Sequence, residues 1–191
     1  MFQLMRNIHL ALGLLFVVMV AVFAVSSLAI TYRTWLPQTP VDGEKTVQIE
    51  TALAETPRAL ARTLMQKEDL KGDLRNIEES PESVKFRIFR PGTQVDVEWE
   101  RSSGQTTLKT RRWGALQMMV QLHTNHGFWH DFMPANLWAG FSLLASVGLL
   151  LMGASGIYLW FAHHSERLIG GVLLAVGLIY GLTTLILTRL T

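Results

Sequence analysis

The chain has 191 residues, of which 49% are hydrophobic, with a formal net charge of +2 and no cysteine. Without cysteine there is no disulfide, no thiolate zinc site, no Cys-ligated iron–sulfur cluster and no C-x-x-C-H attachment of a c-type haem. The small net charge, with no basic cluster interleaved with aromatic residues, argues against nucleic-acid binding.

Three long stretches contain no Asp, Glu, Lys or Arg, and they surround one polar segment: residues 7–32, 132–165 and 168–188. Each can hold about 20 helical residues, the length that crosses the hydrocarbon core of a bilayer. The predicted fold is a membrane α-helical protein with three transmembrane helices and a small α+β extramembrane domain. The predicted divisions are transmembrane helix 1 in 1–32, a linker in 33–45, the α+β domain in 46–113, an interfacial connecting segment in 114–131, and transmembrane helices 2 and 3 in 132–191.

The first apolar segment shares features with a secretory signal peptide, because Arg6 precedes it and small residues follow it. Its apolar run exceeds the usual signal core and has no clear A-x-A cleavage site, so we interpret it as a retained anchor. Near the helix ends, Arg6 and Arg167 lie on one side of the membrane and Arg33 and Arg189 on the other. Counting basic residues therefore leaves the orientation open.

The polar segment predicts a helix followed by strands. From Val47 to about Leu74 apolar residues recur near helical spacing, with Pro57 as a break: Ala52, Leu53, Leu60, Leu64 and Leu70. Two alternating strands joined by the Pro91-Gly92 turn, and a third strand in 106–112, predict a three-stranded antiparallel meander under that helix. The predicted core side carries Val84, Phe86, Val95, Val97 and Trp99, and the predicted solvent side carries Lys85, Asp96 and Glu98.

The polar segment contains no recognisable catalytic motif. There is no G-x-S-x-G, no H-E-x-x-H and no Gly-rich phosphate loop. The carboxylates Asp96, Glu98 and Glu100 share one strand face, which is typical of a solvated surface.

Glycines occur at close-packing spacings in the second and third apolar segments: Gly148, Gly153, Gly156, Gly170, Gly171, Gly177 and Gly181. Small residues let helix backbones approach closely in lipid. We expect a hairpin of transmembrane helices 2 and 3, with self-association or a membrane protein partner as the alternative.

The six histidines fall into two groups. His9, His163 and His164 share one membrane face, because helix 1 begins on the side where helix 2 ends. The other three precede helix 2 on the opposite face, at spacing i, i+3 and i+7: His123, His126 and His130. Imidazole can ligate metal or haem b, and it can also cap helix ends at the interface. Both roles stay open for these residues.

Three runs resemble the signatures of PepSY-associated transmembrane proteins. Residues 6–13 resemble R-x-x-H-x-x-x-G, residues 122–128 resemble L-H-t-G-x-x-G, and residues 155–160 resemble T-G-l-x-l-W. The intervening helix and meander are similar to a PepSY domain. The larger reductases of that family have a fourth helix, and Asn125 stands here in place of a Gly.

The resemblance implies a bacterial inner-membrane, multi-pass protein with a cytoplasmic N-terminus and a periplasmic central domain. Some family members are haem b proteins that reduce ferric siderophores, which implies haem-iron ligands at His9 and His123, with His163, His164 and His126 as further candidates. The first hypothesis is therefore electron transfer through haem b to periplasmic ferric chelates in iron uptake. The second is a non-enzymatic accessory subunit or regulator that binds a partner through the PepSY domain, by strand addition.

Overall fold

The computed structural model of the protein describes residues 1–49, 56–125 and 127–190. Within these ranges the helices are α1 (Phe2–Thr31), α2 (Pro57–Lys67), α3 (Ala115–Thr124), α4 (Met133–Ala162) and α5 (Arg167–Leu190). The strands are β1 (Val41–Gln48), β2 (Asp73–Glu79), β3 (Ser83–Arg90), β4 (Thr93–Glu100) and β5 (Gln105–Arg112). The chain divides into two compact units, Met1–Val17 with Leu144–Thr191, and Val18–Leu143.

Among the described residues, three helices are long and apolar enough to cross a membrane: α1, α4 and α5. They have 30, 30 and 24 residues, and each exceeds the roughly 20 residues that a hydrocarbon core requires. The predicted three-helix membrane architecture is confirmed.

The strands described in residues 18–143 form one antiparallel sheet in the order β1-β5-β4-β3-β2. The predicted meander is confirmed as β3, β4 and β5. Two further strands extend it, since β1 pairs with β5 and β2 pairs with β3. β1 falls in residues that were predicted as linker and helix. Its side chains are almost all exposed, so backbone pairing holds it in place and it shows no apolar alternation.

The predicted helix of residues 47–74 is shorter than expected, because β1 and β2 take its two ends and Ala52 and Leu53 lie outside the described residues. Pro57 begins α2 instead of breaking it. The Thr56 hydroxyl accepts a hydrogen bond from the Ala59 N–H at 3.1 Å and so caps the helix. Proline suits this first position, because its missing N–H would have no intrahelical partner.

The sheet core has the predicted faces. The five predicted core side chains are only 1–4% exposed, and they pack with Leu60, Ala61 and Leu64 of α2. On the other face Lys85 is exposed, and Asp96 and Glu98 are half-exposed. This register places the apolar side of the sheet under α2.

Glycines of α4 contact α1. In the unit formed by residues 1–17 and 144–191, a Cβ at Gly148 would overlap the Phe16 ring, and one at Gly156 would lie 3.3 Å from His9 Cε1. Gly177 and Gly181 of α5 have no atom within 4 Å of such a Cβ, and α5 buries no described residue. At the start of α5, in contrast, a Cβ at Gly170 would overlap the Trp160 ring of α4. The hairpin of helices 2 and 3, and the alternative of self-association or a partner, stay predictions.

Candidate functional site

His9 of α1 is held by α4 through its Nδ1 atom. Nδ1 lies 3.1 Å from the Met152 carbonyl oxygen and 3.1 Å from Ser155 Oγ. Ser155 Oγ donates to the same carbonyl at 3.0 Å. Because a carbonyl can only accept, Nδ1 of His9 carries the proton in this arrangement. A neutral His9 ring therefore has its lone pair on Nε2.

His123 of α3 is held by α1 in a similar way. Its Nδ1 lies 2.7 Å from Oγ of Ser26, a fully buried residue. Ser26 Oγ also lies 3.1 Å from the Phe23 carbonyl oxygen, and when its hydroxyl donates to that carbonyl, His123 Nδ1 donates the proton of the shorter contact. The Phe23 ring meets His123 edge-on, with centroids 4.6 Å apart. In that tautomer Nε2 carries the lone pair, as in His9.

The two histidines thus share one arrangement: a helix serine fixes Nδ1, and no described protein atom is hydrogen-bonded to Nε2. An Nδ1–H hydrogen bond fixes the tautomer and ring orientation of a histidine ligand and makes Nε2 more basic. Each Nε2 can therefore ligate a metal centre or accept a proton. The sequence singled out both histidines but missed Ser26 and Ser155, although a serine inside an apolar helix is itself a signal of interhelical hydrogen bonding.

The other predicted ligands are placed differently. His163 and His164 are exposed at the connection between α4 and α5, and no described contact joins either to His9. His126 lies outside the described residues. His130 is buried and bonded to Asp73, so it is occupied by a different interaction. Within the described part of the chain, no group of three or more His, Asp or Glu residues could hold a metal ion.

A family model described as "Putative PepSY_TM-like" matches residues 2–190. The chain belongs to this PepSY-associated transmembrane family. Neither the curated proteins nor the solved structures that were searched gave a match.

The PepSY_TM-like chain offers suitable donors for haem b but no space for it between α1 and α4 in the unit of residues 1–17 and 144–191. His9 has the protonation pattern of an axial ligand. The helix contact beside it is filled, since Phe16 lies on Gly148, and a Cβ at Gly13 would be 3.5 Å from Met152 Sδ. A macrocycle ligated by His9 would therefore lie outside the α1–α4 contact.

A buried acid–base pair joins the PepSY sheet to the start of α4. His130 Nδ1 lies 2.5 Å from Asp73 Oδ2, and Asp73 Oδ1 accepts the Phe132 N–H at 2.9 Å. Asn136 accepts the His130 N–H and donates to the His130 carbonyl. Asp73 and His130 are 3% and 6% exposed, and His130 Nε2 is buried without a partner in the described residues. This pair fixes strand β2 to the entry of a membrane helix.

Aromatic and cationic groups cover this pair. Trp129 stacks on His130 with centroids 4.3 Å apart, and the Arg75 guanidinium lies 5.0 Å from the Trp129 ring centroid. Arg75 also lies 3.3 Å from Asp73. The pair had no sequence signal, since its members are 57 positions apart and belong to no shared motif.

The carboxylates on the outer face of the sheet are paired with basic residues across strands. Asp96 lies 2.7 Å from Arg87 Nε and 3.1 Å from Arg111, and Lys85 lies 2.6 Å from Glu98. Partial burial raises the pKa of Asp96, but hydrogen bonds from Arg87 and Gln94 and the nearby positive charges outweigh it and hold this pKa below its ordinary value. These contacts describe a partly exposed, salt-bridged surface, whereas the sequence predicted only that this face is solvated.

Proposed function

We propose that this membrane PepSY protein transfers single electrons through haem b, with His9 and His123 each providing one axial nitrogen. The observation that carries the proposal is the shared arrangement of the two imidazoles, with Nδ1 bonded to a helix serine and Nε2 without a hydrogen bond to any described residue. An ionisable group at membrane depth is costly unless it has a use or a partner. Ligation of haem iron at Nε2 would give each imidazole both a use and a partner.

The chain's own residues would orient the ligands. Ser155 and the Met152 carbonyl hold the His9 ring, while Ser26 holds the His123 ring. When bound, haem supplies a one-electron carrier whose potential depends on axial ligation and burial. Phe16 fills the α1–α4 contact beside His9. We therefore propose that the residues that would cover a haem at His9 come from a second subunit.

The proposed acceptor is a ferric chelate on the side of the membrane that holds the PepSY domain. Membership of the family and the three signature runs support an inner-membrane location with a cytoplasmic N-terminus and a periplasmic domain. A reporter inserted near Ser165 should be active in the cytoplasm, and one inserted in the Pro37–Pro40 linker should be active in the periplasm. The reverse pattern would remove the periplasmic acceptor from the proposal.

The haem proposal is tested by a reduced-minus-oxidised spectrum of purified protein made with ample haem supply. The wild type should show Soret and alpha bands. His9→Ala and His123→Ala should each lower the bound haem, whereas His164→Ala, a change at an exposed residue of the α4–α5 connection, should retain it. Membrane insertion of every variant is checked by protein yield in the membrane fraction. A wild-type spectrum without either band ends the electron-transfer proposal.

A second candidate function is that of an accessory subunit, and the free edge of β1 favours it. β1 lies at one end of the sheet, pairs only with β5 among the described strands, and leaves nearly all its side chains exposed. An exposed edge can accept a partner segment as an added strand. A photo-crosslinker at Glu44 should capture a single partner in intact cells, and one at Glu98 on the sheet face should not. Equal labelling from both positions would contradict strand addition.

A further inference from the structure

A groove lies where the end of the sheet meets α3 and the first turn of α4, within residues 18–143. Its volume is about 430 Å³. Apolar side chains form most of the wall, and these are Met118, Leu122, Phe132 and Pro134. No carboxylate is among the described residues that line it. The groove is therefore suited to an apolar chain.

An arginine of the groove lining, Arg90, lies in the same row of the sheet as a second arginine, Arg112. Arg90 pairs across the strands with Thr93, and Thr93 pairs with Arg112, so the three residues form one row on the same face. That row continues the apolar side of the sheet beyond Ile88 and Val95. Arg90 and Thr93 line the groove, and Arg90 and Arg112 are exposed.

Neither arginine has a described carboxylate within ion-pair distance, in contrast to Arg87 and Arg111 on the opposite face, which pair with Asp96. Adjacent strands are about 4.8 Å apart, so two strands separated by a third hold their side chains about 10 Å apart. Two cations at this distance with a hydroxyl between them can receive one phosphate group.

The depth of the groove follows from the length of α4. This helix has 30 residues, and at about 1.5 Å per residue it is about 45 Å long. That is the full thickness of a bilayer with its headgroup layers, about 40–45 Å. A helix of this length that spans the bilayer would have its first turn, which lines the groove at Pro134 and Ala135, at headgroup depth. Trp113, another lining residue, is of a type enriched at that depth.

We infer that this groove binds an anionic phospholipid, with the headgroup phosphate between Arg90 and Arg112 and an acyl chain along Met118, Leu122 and Phe132. The two arginines, which have no ion-pair partner among the described residues, account for the preference for negative charge. The apolar wall accounts for the preference for a lipid over a soluble anion. Basic pockets beside membrane helices recognise anionic lipid headgroups in this way.

Native mass spectrometry of the full chain in detergent tests the site, with phosphatidylglycerol and phosphatidylcholine as probes. The wild type should retain one phosphatidylglycerol at least tenfold more tightly than phosphatidylcholine. The double variant Arg90→Gln/Arg112→Gln should bind phosphatidylglycerol about 30-fold more weakly. Arg58→Gln, which removes an exposed cation from α2, should bind it like the wild type.

A second pair of measurements separates a lipid from a free anion. Met118→Asp places a carboxylate in the apolar wall at a side chain that is already 39% exposed, and it should weaken phosphatidylglycerol binding without unfolding the domain. Millimolar inorganic phosphate should leave the bound lipid in place. The inference would be overturned by equal binding of the two lipids or by unchanged binding in the double arginine variant. It would also be overturned if phosphate displaced the lipid and Met118→Asp bound it like the wild type.

Discussion

The PepSY sheet and the membrane helices bury different kinds of side chain. The sheet core consists of large apolar residues such as Phe86, Ile88 and Trp99, each at most 3% exposed. Where α1 and α4 meet in the unit of residues 1–17 and 144–191, glycines face Phe16 and Met152, and a histidine bonds to a serine. In water, burial of apolar area drives packing, whereas in lipid it gives no advantage between helices, so close approach and hydrogen bonds replace it.

The largest effect that this comparison predicts is in the sheet core. Phe86→Ala should lower the free energy of unfolding of the domain by about 3–5 kcal/mol, because it leaves a cavity in a small core. Leu182→Ala on α5, where the side chain is 57% exposed, should leave stability nearly unchanged in lipid. Limited proteolysis and thermal unfolding of the full chain measure both. Unchanged protease resistance in Phe86→Ala would show that the sheet is not stabilised by this core.

The next largest effect concerns the buried Asp73–His130 pair, which joins the sheet to the entry of α4. Asp73→Asn would replace one of the two carboxylate oxygens with an N–H₂ group, so the contact with His130 Nδ1 or the acceptor of the Phe132 N–H is disrupted. We expect a loss of about 1–3 kcal/mol in unfolding free energy. Asp69→Asn, at a carboxylate with an 86% exposed side chain, is the matched control. If the two variants melt at the same temperature, the pair does not hold the sheet to α4.

A smaller effect is expected at the helix contact. Gly148→Ala should destabilise the protein by about 1–3 kcal/mol, because its new methyl group overlaps the Phe16 ring. Gly153→Ala, which meets nothing within 4 Å in the described residues, should be neutral or slightly stabilising. Thermal unfolding in one detergent compares them. Combining Gly148→Ala with Phe16→Ala should recover part of the loss, and strict additivity would argue against direct contact.

The smallest effect is electrostatic and lies on the outer face of the sheet. The folded state holds the pKa of Asp96 below its ordinary value of 3.8, so its contribution to stability is present above that value and is lost as the pH falls below it toward the lower folded pKa. Asp96→Asn should therefore lose less stability than the wild type between pH 5 and about pH 3. Unfolding by denaturant across this range measures the difference. Parallel pH curves for the two proteins would contradict the assignment.

The sequence was sufficient to predict those features for which one residue pattern is compatible with one structure. Alternation in β3 and β4 predicted which residues face the core, and charge-free length predicted the three spans. β1 was missed because nearly all its side chains are exposed and show no apolar alternation, and backbone pairing with β5 makes it a strand. Thr56 and Pro57 carried the signal of a helix start, but Pro57 was interpreted as a break.

The candidate site was predictable only in part. His9 and His123 stand out because ionisable residues in or beside apolar helices are uncommon. Their partners are 146 and 97 positions away, so no local pattern connects them. The Asp73–His130 pair could not be predicted for the same reason. Long-range polar contacts depend on how the elements pack, which spacing along the chain does not encode.

The strand order has a consequence for how the PepSY domain is attached. One outer strand, β1, follows α1 through a short linker, and the other outer strand, β2, is bonded to the entry of α4 through Asp73. A domain joined to the membrane by a single linker can swivel about it. Attachment at both edges restricts that rotation, because the sheet would have to break the Asp73 contact before it could turn about the linker.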